Sequence, residues 1–129
     1  MARTRIFLAC ALLVAPMALA PTAEADGKTG LVLSIRGTQL GTLESTQLKC
    51  DPPGGKHTNA AAACRDLTTA GGDFSKLPGD PDLQFCTMEF QPVKASARGR
   101  WQGKPVSWSS AEYPNRCSMN AALGVVFRF

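Results

Sequence analysis

The stretch Leu31-Val32-Leu33-Ser34-Ile35-Arg36 sets the fold class. Leu31, Leu33 and Ile35 fall on one side of an extended chain, and Val32, Ser34 and Arg36 on the other. Successive side chains of a pleated strand leave opposite faces, so this period of two is the mark of a half-buried antiparallel strand. Before it, residues 26–30 (DGKTG) form a flexible start; after it, residues 37–41 (GTQLG) form a turn and residues 43–50 a second, weaker strand. Val93, Ala95 and Ala97 alternate with Lys94, Ser96 and Arg98 in a third. Trp101-Gln102-Gly103-Lys104 reads as a turn, and Val106 and Trp108 share a face of a fourth strand. Residues 110–120 (SAEYPNRCSMN) show no period and read as irregular. Val125, Phe127 and Phe129, alternating with Val126 and Arg128, predict a fifth strand at the end of the chain.

One helix stands out. The run NAAAACRDLTTA, residues 59–70, is rich in alanine, the best helix former, with Thr58 or Asn59 as cap and Gly71-Gly72 as terminator. Cys64 and Leu67, three apart, share a helix face. Residues 51–58 (DPPGGKHT) are a loop, and residues 73–77 a short turn before Pro78. Four to five antiparallel strands with a helix over one face make a two-layer α+β domain with the other face open.

The first 25 residues have a different character. Arg3 and Arg5 precede an apolar run from Ile6 to Ala20, followed by Ala18-Leu19-Ala20 and Ala23-Glu24-Ala25. This is the layout of a secretory signal peptide. Cleavage is expected after Ala25, since Pro21 sits badly beyond a cut at Ala20. Residues 1–25 are thus expected to be a leader and residues 26–129 a single secreted domain, with no membrane partner. The leader takes two of the 14 basic and one of the 10 acidic residues, leaving 12 and 9, a net charge of +3. In sequence these charges are scattered, with no basic tract, which gives no support to a nucleic-acid partner or to a cationic surface-coating protein.

Of five cysteines, Cys10 leaves with the leader and Cys50, Cys64, Cys86 and Cys117 remain. An even number in a short exported chain reads as two disulfides, and spacing alone leaves three pairings open. Zinc does not fit, because no two cysteines are separated by two to four residues. An enzyme is not expected either. The single histidine, His57, lies in a Gly/Pro loop and reads as an exposed residue. No glycine-rich phosphate loop or HExxH motif occurs, and Asp66, Asp73, Asp80, Asp82, Glu89 and Glu112 read as solvated acids. Neither a metal nor any other cofactor is implied.

Residues 78–92 (PGDPDLQFCTMEFQP) are the unusual segment. Prolines bracket it, yet it carries Leu83, Phe85, Met88 and Phe90, which a plain solvent loop does not need. A rigid extended loop held by a cysteine can enter a protease as a substrate does, at little ordering cost. An ordinary covered loop, with Met88 as filler against the sheet, is the plainer reading of the same residues.

Several short motifs together decide between these readings. Cys86-Thr87-Met88-Glu89-Phe90, Trp101-Gln102-Gly103-Lys104 with Val106-Ser107, Cys117-Ser118-Met119-Asn120, and the ending Val126-Phe127-Arg128-Phe129 are similar to the Streptomyces subtilisin inhibitor family, secreted serine-protease inhibitors of actinobacteria. Cys64-Arg65-Asp66-Leu67 followed by Gly71-Gly72-Asp73 also fits. The resemblance covers residues 30–129. It implies the pairing Cys50–Cys64 and Cys86–Cys117, a five-stranded antiparallel sheet with two short helices, and a homodimer made through the sheets. It also implies a reactive bond between Met88 and Glu89, acting by the substrate-like (standard) mechanism. Phe85, Cys86 and Thr87 would line the approach, Glu89 and Phe90 the exit, and Asn115 would brace the loop from behind. Partners would be extracellular subtilisin-like and chymotrypsin-like proteases. Two positions depart from the commonest pattern: Thr87 stands where proline is frequent, and Glu89 where apolar or small residues are more usual. A non-inhibitory binding or substrate protein on the same fold, using Gln84 and Gln91, is the alternative function.

Overall fold

The computed structural model describes residues 28–129; the expected leader and its cleavage site lie outside them. Alternation in sequence becomes alternation in burial. In β1 (Thr29–Gly37) Leu31, Leu33 and Ile35 are buried while Val32 and Arg36 are exposed. β1 pairs antiparallel with β2 (Leu43–Cys50) on one side and with β4 (Val93–Trp101) on the other. β5 (Lys104–Ser109) extends the sheet beyond β4, and the two-residue β3 (Gly54–Gly55) borders β2, giving the order β3-β2-β1-β4-β5. The β4–β5 hairpin closes through Gln102 and Gly103, both at positive φ (47° and 81°). Such a two-residue turn has the twist its flanking strands require.

One face of the sheet is covered. Helix α1 (Ala60–Thr69) lays Ala63, Cys64 and Leu67 on it, and helix α2 (Arg116–Leu123) adds Met119 and Leu123. Two single-turn 3₁₀ segments, Phe74–Lys76 and Gly124–Phe127, contribute Phe74, Val126 and Phe127. Phe74 stacks on Trp108 of β5 with ring centroids 5.3 Å apart, sealing that edge of the core. The Cys50–Cys64 disulfide ties the end of β2 to the middle of α1. Gly72 ends the helical region at φ 78°, and a Cβ there would lie 2.2 Å from the Trp101 indole, so only glycine lets the ring close over the helix end.

Several expectations are corrected. The C-terminal residues form no strand: Gly124–Phe127 is a 3₁₀ turn in which the neighbours Val126 and Phe127 are both fully buried, unlike a strand with one covered face, and the segment packs over α1. The sheet still has five strands, because the loop expected at residues 51–58 supplies β3. Residues 116–120, the end of the stretch read as irregular, form α2 together with residues 121–123; Asn115 caps it, and Met119 and Leu123, four apart, are its buried face. His57 is buried, not exposed (6%). Its Nδ1 accepts the Asn59 backbone N–H, so its Nε2–H donates to the Val126 carbonyl at 2.9 Å. The Asn59 side chain makes no cap bond; the histidine ring instead holds the Asn59 backbone just ahead of α1 and links it to the C-terminal turn.

The open face also differs from expectation. The strand registers bring Arg36, Lys49, Lys94, Arg98 and Arg100 to this one side of the sheet, and none of the residues sharing it on the four long strands is acidic. Charges scattered in sequence are collected by the period of two.

Candidate functional site

The segment between Leu77 and Val93 takes no helix or strand, yet it is pinned along its length. At its start, the Asp80 backbone N–H donates to the Ala121 carbonyl at 2.9 Å, where α2 ends. The Asp80 carboxylate is ion-paired with Arg128. That hydrogen bond from the Arg128 guanidinium, helped by the Asp82 backbone N–H, holds the Asp80 carboxyl below its ordinary pKa. Gly79 must be glycine at this crossing, because a Cβ would lie 2.5 Å from the Ala121 carbonyl oxygen. At its end, the Gln91 N–H donates to the Pro114 carbonyl at 2.9 Å, and Val93 and Tyr113 exchange two backbone bonds. The Thr38 N–H, from the β1–β2 turn, donates to the Pro92 carbonyl at 2.9 Å.

Between these anchors, the Cys86–Cys117 disulfide fixes the segment to the first turn of α2. Asn115, immediately outside that turn, is 7% exposed and uses both ends of its amide. Its Oδ1 accepts the Ser118 backbone N–H at 2.8 Å as the N-cap of α2. That leaves its Nδ2 to donate to the carbonyls of Thr87 at 3.1 Å and Glu89 at 2.8 Å. One side chain therefore caps the helix and spans the loop, gripping the backbone on either side of Met88.

What the loop presents is apolar and free. Met88 is 100% exposed and Phe85 90%, with Phe90 at 60%. A flexible thioether at full exposure, on a backbone held by a disulfide and by the Asn115 amide, has no structural use within this domain. It is not filler against the sheet, so the covered-loop reading fails. Every residue singled out from the sequence, Phe85, Cys86, Thr87, Met88, Glu89, Phe90 and Asn115, lies in this one construction. Sequence reading missed its supports at Thr38, Asp80, Tyr113, Pro114 and Arg128. The Asp80–Arg128 pair joins residues 48 apart and leaves no local pattern. Among the described residues no group of three or more His, Cys, Asp or Glu side chains is placed to hold a metal ion.

Comparison with known proteins places the chain in a family. The family model described as subtilisin inhibitor-like matches residues 27–115, which includes the whole loop and its Asn115 brace. The chain belongs to the subtilisin inhibitor-like family. A subtilisin inhibitor of Streptomyces violaceus is 40% identical over 111 residues, covering 81% of this chain and 75% of that protein. Kexstatin-1 of Streptomyces platensis is 36% identical over 120 residues, covering 89% and 82%. Among solved structures, Streptomyces caespitosus sermetstatin, crystallised in complex with Bacillus licheniformis subtilisin, superposes with a TM-score of 0.64 at 29% identity, covering 78% of this chain and 97% of that one. The five-stranded sheet, two short helices and two disulfides are the architecture of this family.

Proposed function

We propose that this secreted, non-enzymatic member of the family inhibits subtilisin-like serine proteases by offering them the Met88–Glu89 bond. The observation that carries the proposal is the fully exposed Met88 held between two carbonyls by one buried amide. A protease binds extended substrate through backbone hydrogen bonds and a pocket for the residue before the cut. Residues 85–90 offer both without first being ordered, so little of the binding energy is spent on immobilising the loop. The unbranched, uncharged Met88 suits a broad apolar pocket and gives nothing to the carboxylate of a trypsin-like one.

The same supports explain how a substrate becomes an inhibitor. Attack by the protease serine on the Met88 carbonyl forms an acyl-enzyme and frees the Glu89 amine. After that break, Cys86–Cys117 holds the acyl side. Asn115 to the Glu89 carbonyl and the Gln91–Pro114 bond hold the amine side. The amine stays beside the ester at high effective concentration and re-forms the peptide bond faster than water completes hydrolysis. Titrating subtilisin with the oxidised protein tests this: a stoichiometric, slowly dissociating complex is expected, and steady proteolysis of the inhibitor without loss of enzyme activity would refute it.

The homodimer implied by the resemblance would pair two copies through the open face of the sheet. Val32 (46% exposed) and Leu43 (58%) offer apolar area there. The cations on that face repel their copies, so self-association by this route strengthens as ionic strength rises. Sedimentation at increasing salt measures it.

A further inference from the structure

An apolar cleft lies open beside the reactive loop. Among the described residues, large apolar side chains are exposed at Phe85, Met88 and Phe90 in the loop, at Val32 and Leu43 on the open face, and at Leu40 in the β1–β2 turn, which is 73% exposed. Leu40 and Phe90 line a cleft of about 350 Å³, together with Pro92 and Val93. The cleft is on the covered side of the sheet: Glu44, which lines it, stands opposite the buried Ile35. Pairing of two copies through the open face therefore makes no use of it. The turn is held in place. Gly41 N–H donates to the Gly37 carbonyl and Gly37 N–H to the Thr42 carbonyl, both at 2.9 Å. The Thr38 N–H and hydroxyl both donate to the Pro92 carbonyl, at 2.9 and 3.3 Å, which ties the turn to the end of the loop. At the edge of the cleft Arg116 and Glu44 pair at 2.8 Å, so it can be covered without burying an unpaired charge. An apolar centre with a polar rim is the anatomy of a protein–protein contact.

We propose that this cleft is a second contact for the protease that takes the reactive loop: Leu40 and Phe90 close on an apolar side chain of the enzyme's surface, beside the sites that bind residues 85–90. The inference rests on the inhibitory reading above. Interface size argues for it. A protease–inhibitor interface takes about 800 Å² and about 20–30 residues from each partner, far more than residues 85–90 provide. A round patch of that area has a radius of about 16 Å. Pro92, where the turn meets the loop, is four residues from Met88, at most about 14 Å along an extended chain. An enzyme centred on Met88 therefore reaches the turn. Phe90 belongs to both the loop and the cleft, so the two surfaces are continuous. The turn, like the loop, is ordered before binding, and its contact costs little in immobilisation. Met88 selects the enzyme's pocket, and Leu40 selects, among enzymes sharing that pocket, those with an apolar surface at this point of the rim.

The test is the kinetics of subtilisin inhibition by the oxidised protein and by its Leu40→Ala and Leu40→Asp variants. Loss of an apolar side chain that is buried only in the complex should raise the inhibition constant about tenfold for alanine. Aspartate, whose charge is buried without a partner, should raise it at least about a hundredfold. The change should fall on the dissociation rate. Melting temperatures should stay as in the parent, because Leu40 is exposed in the free protein. Cleavage between Met88 and Glu89 within the complex should be as slow as in the parent; faster cleavage would show Leu40 steadying the loop instead, and overturns the inference. Leu40→Ala combined with Phe90→Ala should cost less than the two single losses together, since both walls hold one guest, and additive losses overturn the shared cleft. Inhibition by Leu40→Asp equal to the parent's also overturns it, as does a self-association of the parent that Leu40→Asp abolishes, which gives the cleft to a second copy. A parent that fails to inhibit is a distinct result: it removes the inhibitory reading itself, and the second contact with it.

Discussion

Replacing Asn115 by aspartate separates the two jobs of one amide. Aspartate keeps an acceptor for the Ser118 N–H and places a negative charge at the N-terminus of α2, where the helix dipole favours it. It replaces the Nδ2 donor with an oxygen facing the Thr87 and Glu89 carbonyls. Two hydrogen bonds worth about 1 kcal/mol each are lost and a lone-pair repulsion is added. The new charge at the helix N-terminus offsets part of that loss, so folding stability falls by only about 1 kcal/mol. In the complex the loop must be ordered without its brace, and the inhibition constant should rise at least about 30-fold. The melting temperature should fall by no more than about 8 °C, the equivalent of about 1 kcal/mol in a domain of this size. Asn115→Ala, which removes cap and brace together, should lose both. The assay is inhibition of subtilisin hydrolysis of a chromogenic peptide, read beside thermal melts followed by circular dichroism. An Asn115→Asp protein that inhibits as tightly as the parent, and is cut as slowly, would refute the bracing argument.

Further outcomes follow from the same geometry. Met88→Lys should gain trypsin inhibition, because a buried carboxylate in that enzyme's pocket acquires a cation to pair with; an unchanged trypsin inhibition constant would show that Met88 does not fill the pocket. Cys86→Ser/Cys117→Ser should lose about 3–4 kcal/mol of stability, as expected for opening a loop of 31 residues' separation. Below its melting temperature, this variant should be consumed by subtilisin as a substrate, visible by gel within the time the parent stays intact. For Asp80 the lowered pKa means that the contribution of its Arg128 pair is fully present above the ordinary carboxylate range. That contribution is lost as pH falls through the lower folded value. The parent's melting temperature should therefore drop below about pH 4, and Asp80→Asn should flatten part of that drop.

Most of the sheet was legible because its strands obey a local rule. Leu31, Leu33 and Ile35 announce a buried face without reference to anything distant, and the bounds of β2 could be read from the same pattern. The tail misled for the same reason. Val125, Phe127 and Phe129 alternate, but the chain turns there because the Val126 carbonyl is taken by His57, 69 residues away. Helix α2 was missed although Asn115, Met119 and Leu123 stand at helical spacing, because Pro114 and the polar run beside it look like loop. The loop itself was legible as apolar side chains where none were needed. Its Cys86 anchor and Asn115 brace came with the family resemblance, but its other supports did not, since Thr38, Asp80 and Arg128 act on it across the fold. The cation row on the open face was invisible for a related reason: Arg36 and Lys94 are far apart in sequence and meet only through the β1–β4 register.

The central claim is that the Met88–Glu89 bond is the one offered to the enzyme and kept from hydrolysis. Incubating equimolar subtilisin with the oxidised protein, quenching in acid at intervals and weighing the inhibitor by mass spectrometry tests it directly. The account predicts intact protein together with a slowly accumulating species one water heavier, whose reduction yields fragments ending at Met88 and beginning at Glu89. Early cuts elsewhere in residues 78–92, or fast and complete cleavage at Met88–Glu89 with recovery of enzyme activity, would contradict it.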